Sequence, residues 1–175
     1  MEFTAFISIF IAQRLSELLV ARNNEKWLRK NGAIEYGQEH YPYIILLHTS
    51  FIISLILEYT LRPASNPDLL FFVLFIILIA AKIWVISSLG KYWNTKIFRI
   101  PGRQPVRKGL YKVLRHPNYI IVVCEFIVVP IVFHLYYTAI IFSLLNAIIL
   151  RIRIREENIV WSINLQSGPT NRIRN

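Results

Sequence analysis

The stretch LLFFVLFIILIAAKIWVISSL, residues 69–89, carries a single charge, Lys82. A helix of about 20 apolar residues crosses the hydrocarbon core of a bilayer. No water is available there, so each backbone N–H and C=O must find its partner inside the segment, and a helix is the form that does this alone. This run therefore commits the chain to a membrane. Hydrophobic residues make up 55% of the 175, above the roughly 45–50% of an average soluble domain.

Five apolar segments emerge along the chain, at residues 3–20, 43–60, 69–90, 118–133 and 137–150. The first contains Arg14 and Glu17, one helical turn apart and able to pair within the helix. The last two lie close together. As one helix, residues 118–150 would run ~50 Å at 1.5 Å per residue, too long for a bilayer core. Pro130 and the sequence HLYY at 134–137 point instead to a tight helical hairpin. RPASNPD, residues 62–68, reads as a connecting turn. The opening MEFTAFISIF has neither a basic start nor a small-residue cleavage site, and reads as a retained helix. The predicted fold is all-α and integral to the membrane, with about five transmembrane helices, the last two forming the hairpin. A single domain spans 1–175: three membrane helices in 1–90, then a loop, the hairpin and a tail in 91–175.

The net charge is +10. In a soluble protein that would suggest a nucleic-acid partner; here the placement of the charges indicates a membrane topology and lipid partners instead. The loop 21–42 holds four Lys and Arg, the loop 91–117 eight and the tail after residue 150 five, whereas the loop 61–68 has only Arg62. An odd number of spans puts the three basic regions on one side. By the positive-inside rule that side is cytoplasmic, with the N-terminus outside. The lone cysteine, Cys124, excludes an internal disulfide and a cysteine-based metal cluster, and is expected to pack as a small apolar residue. His40 and His48 are separated by Pro42 and lack a third ligand, so no metal site is expected. Lys82 and Glu125 fall inside spans, where charged residues are functional hypotheses by default. Lys82 can snorkel towards the interface or pair. Glu125 can pair with Lys82 or lie beside a substrate path.

Two charged clusters flank the hairpin. The first is in GLYKVLRHPNYII, residues 109–121. Each residue has a plain structural explanation: Arg and Lys anchor spans, Pro favours a first helical turn and Tyr favours the interface. The combination is more specific. Pro117 removes a donor and constrains His116. The histidine is thereby fixed at a helix entrance, where free N–H groups and the positive dipole end suit a ligand with a carboxylate. The second cluster is RIRIREEN, residues 151–158. Its plain reading is a solvated helix end. Its spacing singles out Arg153 and Glu157 as the i, i+4 pair, because Ile152 stands four before Glu156. A hairpin brings both clusters to the same end.

GLYKVLRHPNY, a helical hairpin and then RIRIREE together resemble the isoprenylcysteine carboxyl methyltransferase family of integral membrane enzymes, with phospholipid N-methyltransferases as wider relatives. RNNEKWLRKNGAIEYGQEHYPYIILLH, residues 22–48, is similar to the small bacterial branch of that family. The resemblance implies a cytoplasmic pocket for S-adenosylmethionine and a lipophilic acceptor entering from the bilayer of a bacterial cell membrane. Carried over by position, Val106, Tyr111, His116, Pro117, Tyr119 and Glu157 line the cofactor. Arg103, Gln104 and Pro105 fill the preceding family segment without its usual histidine, Gln104 standing with the cofactor set. Arg153 faces the acceptor as the catalytic residue, and Glu125 stands with it as a substrate candidate. After the Glu pair the family commonly continues with Phe-Gly and a Tyr-rich segment; here it reads NIVWSINLQSGPTNRIRN.

The residues fit methyl transfer to oxygen. A carboxylate or acidic enol is already anionic near neutral pH, so the enzyme has mainly to position two partners and exclude water. Arg153 can hold the acceptor oxyanion by charge-assisted hydrogen bonds. The glycine-rich loop of soluble methyltransferases is absent, since no Gly-x-Gly occurs. A prenylcysteine-like acceptor and an alkyl-pyrone or alkyl-phenol lipid are the candidate acceptors. Two other classes stand beside it: an NADPH-dependent membrane reductase related to the sterol reductases, and a non-catalytic membrane protein that keeps the pocket, favoured by the altered tail. Topology is directly testable. A cysteine engineered at Lys96 should resist an impermeant thiol reagent in intact cells and react after permeabilisation; efficient labelling from outside would invert the assignment.

Overall fold

A computed structural model describes residues 2–63 and 66–166, the side chains of 161–166 excepted. Five helices dominate: α1 Glu2–Lys30, α2 Tyr41–Leu61, α3 Leu69–Leu89, α4 Pro117–Ile131 and α5 Tyr136–Gln166. α1, α2, α3 and α5 are each long and apolar enough to cross a membrane, and α4 is a shorter apolar helix. The 21 residues of α3 make about 32 Å of helix, matching the bilayer core. α4 has 15 residues, only ~22 Å, and α5 has 31, ~46 Å. The hairpin is therefore unequal, and α5 runs past the membrane at its basic end.

The hairpin forms where the sequence places it. Pro130 sits in the last turn of α4, and its carbonyl accepts from Phe133 N at 3.2 Å and Leu135 N at 3.0 Å. His134 then takes a left-handed conformation at φ 58°, reversing the chain. This end of the bundle is closed by carboxylates. Glu58 of α2 accepts from the free N–H groups of Tyr137 and Thr138, at 3.1 and 2.7 Å, at the start of α5. Asp68 caps α3 through Phe71 N at 3.1 Å, and its own N–H bonds Val132 O at 2.8 Å. Both satisfy orphan donors and favour the positive end of a helix dipole. The core beneath is aromatic. Phe10 and Phe126 are fully buried, the Phe51 and Phe126 rings lie 4.4 Å apart, and Phe3 stacks on Tyr59 at 3.7 Å.

Two features depart from the sequence reading. Residues 21–30 are not loop: α1 continues to Lys30, helped by the i, i+4 pair Glu25–Arg29 at 2.7 Å. Two three-residue strands, β1 Ile34–Tyr36 and β2 Ile97–Arg99, pair antiparallel with Glu35 opposite Phe98, adding a small sheet to the otherwise helical fold. Lys96 pins it, its Nζ 3.1 Å from Glu25 and 3.3 Å from Glu35. The Lys96 ammonium is partly desolvated, yet bonds to these two carboxylates raise its pKa above the ordinary lysine value. The sheet therefore joins the two segments read as separate basic loops.

Inside the bundle the charged residues gather. Arg14 lies 3.2 Å from Glu17 and 2.8 Å from Glu125; Lys82 lies 3.2 Å from Glu125 and 3.9 Å from Glu17. Gln13 donates to both carboxylates at 3.1 Å. Lys82 does not snorkel: it is 2% exposed and turned towards Glu125, which is 1% exposed. Two cations and two anions cancel, which makes their joint burial tolerable. Removing one member leaves an uncompensated charge, at a cost of ~3–5 kcal/mol. Glu125→Gln should lose stability of that order in detergent unfolding, and a loss below about 1 kcal/mol would show the cluster to be solvated.

Candidate functional site

The basic end of the bundle carries the site, and α3 sets one edge of it. Gly109 opens a 3-10 turn, Gly109–Lys112, at φ 52°. A Cβ there would meet Ser88 Oγ of α3 at 2.1 Å, so only glycine allows this approach. The turn presents Tyr111, half-buried. Burial, with the Glu157 carboxylate nearby, holds the Tyr111 hydroxyl above its ordinary pKa and therefore protonated. α4 then begins at Pro117, buried, with His116 in the N-cap position.

One turn into α4 the side chains converge with those of α5. The His116 and Tyr119 rings stack at 5.1 Å and 9°. Tyr119 donates its hydroxyl to Glu157 Oε2 at 2.6 Å and accepts from Arg153 Nε at 2.8 Å. Arg153 also donates to the Thr95 carbonyl at 2.5 Å, and its guanidinium lies 5.3 Å over the Tyr119 ring. His116 Nδ1 is 3.5 Å from Glu157 Oε2. The i, i+4 register of α5 thus puts Arg153 and Glu157 on one face, and the hairpin sets that face against the entrance of α4. Tyr119 spaces the cation from the anion, so neither collapses fully onto the other.

The site keeps unused polar capacity. His116 Nε2 is buried without a hydrogen-bond partner, which is costly unless a ligand or water completes it. Glu157 Oε1 and Arg153 Nη1 carry no hydrogen bond among the described residues. A shallow groove of about 500 Å³ runs along a different face of α5, past Arg151, Ile154, Arg155, Asn158 and Ile159, and takes in none of the cluster residues. The arrangement offers one carboxylate, one guanidinium, one imidazole and one protonated phenol within a few ångströms of one another.

The expected residues divide. Tyr111, His116, Pro117, Tyr119, Arg153 and Glu157 come together. Gln104 lies exposed and Val106 half-buried on the loop 100–108; among the described residues no hydrogen bond joins either to the cluster. Arg103 of the same loop is exposed and bonds the Tyr92 hydroxyl at 2.6 Å. Both oxygens of Glu125 are taken, by Gln13 on one side and by Arg14 and Lys82 on the other. That geometry gives it a pairing role and no free oxygen for a substrate. His48 bonds Ile44 O at 2.9 Å and packs on Phe126, and no group of three or more metal-ligating residues forms among the described residues. The altered tail after residue 166 lies outside the described residues. The sequence reading missed Thr95, which acts through its carbonyl and has no side-chain signal.

Known proteins point the same way. The model of the Isoprenylcysteine carboxyl methyltransferase (ICMT) family matches residues 69–162. Bacillus subtilis (strain 168) YpbQ, described as an uncharacterized protein, is 43% identical over 159 residues, 89% of this chain and 94% of its own. An uncharacterized protein of Haemophilus influenzae (strain ATCC 51907 / DSM 11121 / KW20 / Rd) is 30% identical over 155 residues, 87% of this chain and 90% of its own. No solved structure matches. The family match covers more than half the chain and reaches from α3 through the hairpin to Glu157 and beyond, and the chain belongs to the isoprenylcysteine carboxyl methyltransferase family.

Proposed function

We propose that this protein is an S-adenosylmethionine-dependent O-methyltransferase whose acceptor is a carboxylate or acidic hydroxyl on a lipophilic molecule drawn from the bilayer. The observation that carries the reading is the His116–Tyr119–Glu157–Arg153 cluster with a buried, unpartnered His116 Nε2. The donor set fits the cofactor. His116 Nε2 can donate to its carboxylate, Glu157 Oε1 can accept from its ammonium or ribose hydroxyls, and Tyr111 offers a protonated hydroxyl. When bound, the cofactor supplies an electrophilic methyl group on a sulfonium.

The chain's own residues then have three tasks. Arg153 holds an acceptor oxyanion with the guanidinium edge that Tyr119 and Thr95 leave free. Tyr119 fixes Arg153 and Glu157 relative to one another, so the two binding halves keep a set spacing. Keeping water from the reactants is the third task, since a dry site strengthens each charged contact. No general base is required, because the acceptor is already anionic. Most of the acceleration comes from holding two reactants in line. The site stands where α5 leaves the apolar layer, so an acceptor with an alkyl or prenyl chain can keep its tail in lipid while its head reaches Arg153. With the basic end cytoplasmic, the pocket faces the compartment that holds the soluble cofactor.

A methyl-transfer assay with labelled cofactor and a membrane lipid extract, followed by mass spectrometry of the product, tests this directly and names the acceptor. His116→Ala and Glu157→Ala should each weaken cofactor binding by roughly 10- to 150-fold, the equivalent of ~1.5–3 kcal/mol for a charged hydrogen bond. Glu156→Ala should do far less; the opposite order would place the wrong face of α5 in the pocket. Arg153→Lys should lower turnover by about 100-fold while sparing cofactor affinity, because lysine keeps the charge and loses the planar fork. The exposed Arg151 and Arg155 should tolerate lysine, and equal losses at all three positions would remove Arg153 from the site.

A further inference from the structure

The buried charge cluster of α1, α3 and α4 has no part in the mechanism above, yet it touches the site at one point. Lys82 Nζ lies 3.2 Å from Glu125 Oε2 and donates to Asn118 Oδ1 at 3.3 Å. Asn118 sits between Pro117 and Tyr119. It stands seven residues before Glu125, two helical turns away on the same face of α4. One ammonium on α3 therefore grips α4 at two points, which sets both its height and its rotation.

The entrance of α4 needs such a grip. His116 makes no side-chain capping bond, and Pro117 has no N–H to offer. The contacts of Tyr119 with Arg153 and Glu157 hold the entrance from the site's own side. Lys82 holds it from inside the membrane, independently of any ligand. α3 thus governs two parts of the site, the Tyr111 turn resting on Ser88 and the α4 entrance resting on Lys82.

Stability alone is a poor account of this lysine. Buried ion clusters lose so much hydration that apolar replacements often serve as well or better. This one also leaves Gln13 Oε1 and Arg14 Nε buried and unpartnered, unlike a network tuned for stability. We infer that Lys82 is a positioning residue: through Asn118 and Glu125 it fixes the entrance of α4, and so sets where His116 and Tyr119 stand relative to Arg153 and Glu157. Its consequence for methyl transfer rests on the function proposed above; its consequence for geometry does not.

The test separates geometry, stability and activity. Spin labels at the exposed Arg115 and Arg155, in the full chain with Cys124→Ala, report the spacing between the α4 entrance and α5 by pulsed electron resonance. Asn118→Leu removes the grip nearest the α4 entrance, leaves the one at Glu125 and keeps all four charges. Glu17→Gln with Lys82→Met removes the strut and one charge of each sign, leaving the Arg14–Glu125 pair at 2.8 Å. Both should broaden the distance distribution and lower turnover by roughly 10- to 100-fold, with the unfolding midpoint close to the parent's. Lys82→Arg should keep a narrow distribution and most of the turnover, since a guanidinium can also reach both acceptors. Narrow, parent-like distributions in Asn118→Leu and in the neutral double variant would overturn the proposal, as would normal turnover in both. Failure of the parent protein to bind S-adenosylmethionine would sink the methyltransferase reading while leaving the distances to decide the strut.

Discussion

Four charges inside a bilayer constrain everything else in this molecule. Arg14, Glu17, Lys82 and Glu125 come from three helices and neutralise one another at distances of 2.8 to 3.9 Å. In lipid there is no water to take over if one helix drifts. Apolar side chains slide past each other at little cost; an ion pair does not. The cluster therefore fixes the register of α1, α3 and α4, while the aromatic core around Phe10, Phe51 and Phe126 fills the space towards the opposite end. Packing supplies cohesion here, and charge supplies alignment.

Alignment matters because the site is made of pieces far apart in the chain. His116 and Tyr119 belong to the entrance of a short helix, Arg153 and Glu157 to the overrun of a long one, Thr95 to the segment leading into β2, and Tyr111 to a turn resting on α3. The unequal lengths of α4 and α5 have a direct consequence. α5 carries its charged end beyond the apolar layer, so a carboxylate and a guanidinium stand at the edge of that layer rather than within it. Arg99 ties β2 to the same stretch of α5 by donating to Val160 O at 2.7 Å. The sheet thus backs the site rather than standing apart from it.

What could be read from the sequence was whatever repeats locally. Five apolar helices, the last two a hairpin, followed from runs of apolar residues and from Pro130, though the length of α5 beyond residue 150 did not. The choice of Glu157 over Glu156 followed from helical spacing against Arg153. What could not be read depended on partners distant in the chain. Arg14 was assigned to Glu17 within its own helix, which is correct, but its shorter contact is with Glu125, more than a hundred residues away. The role of Glu58 depends on the free N–H groups of α5, which no local pattern announces. Three-residue strands carry too few positions for an alternating pattern, so β1 and β2 were invisible, and the polar last turns of α1 were hidden from a search for apolar runs. Gln104 and Val106 came from resemblance alone, and among the described residues no hydrogen bond joins either to the cluster.

The central claim is that the junction of the α4 entrance with α5 is a cofactor pocket. Ultraviolet cross-linking of labelled S-adenosylmethionine to the purified protein in lipid nanodiscs, with the adducts mapped by mass spectrometry, tests it most directly. The account predicts saturable labelling, competed by unlabelled cofactor, in peptides that contain residues 109–119 and 151–158. Labelling that does not saturate, or adducts confined to other parts of the chain, would contradict it.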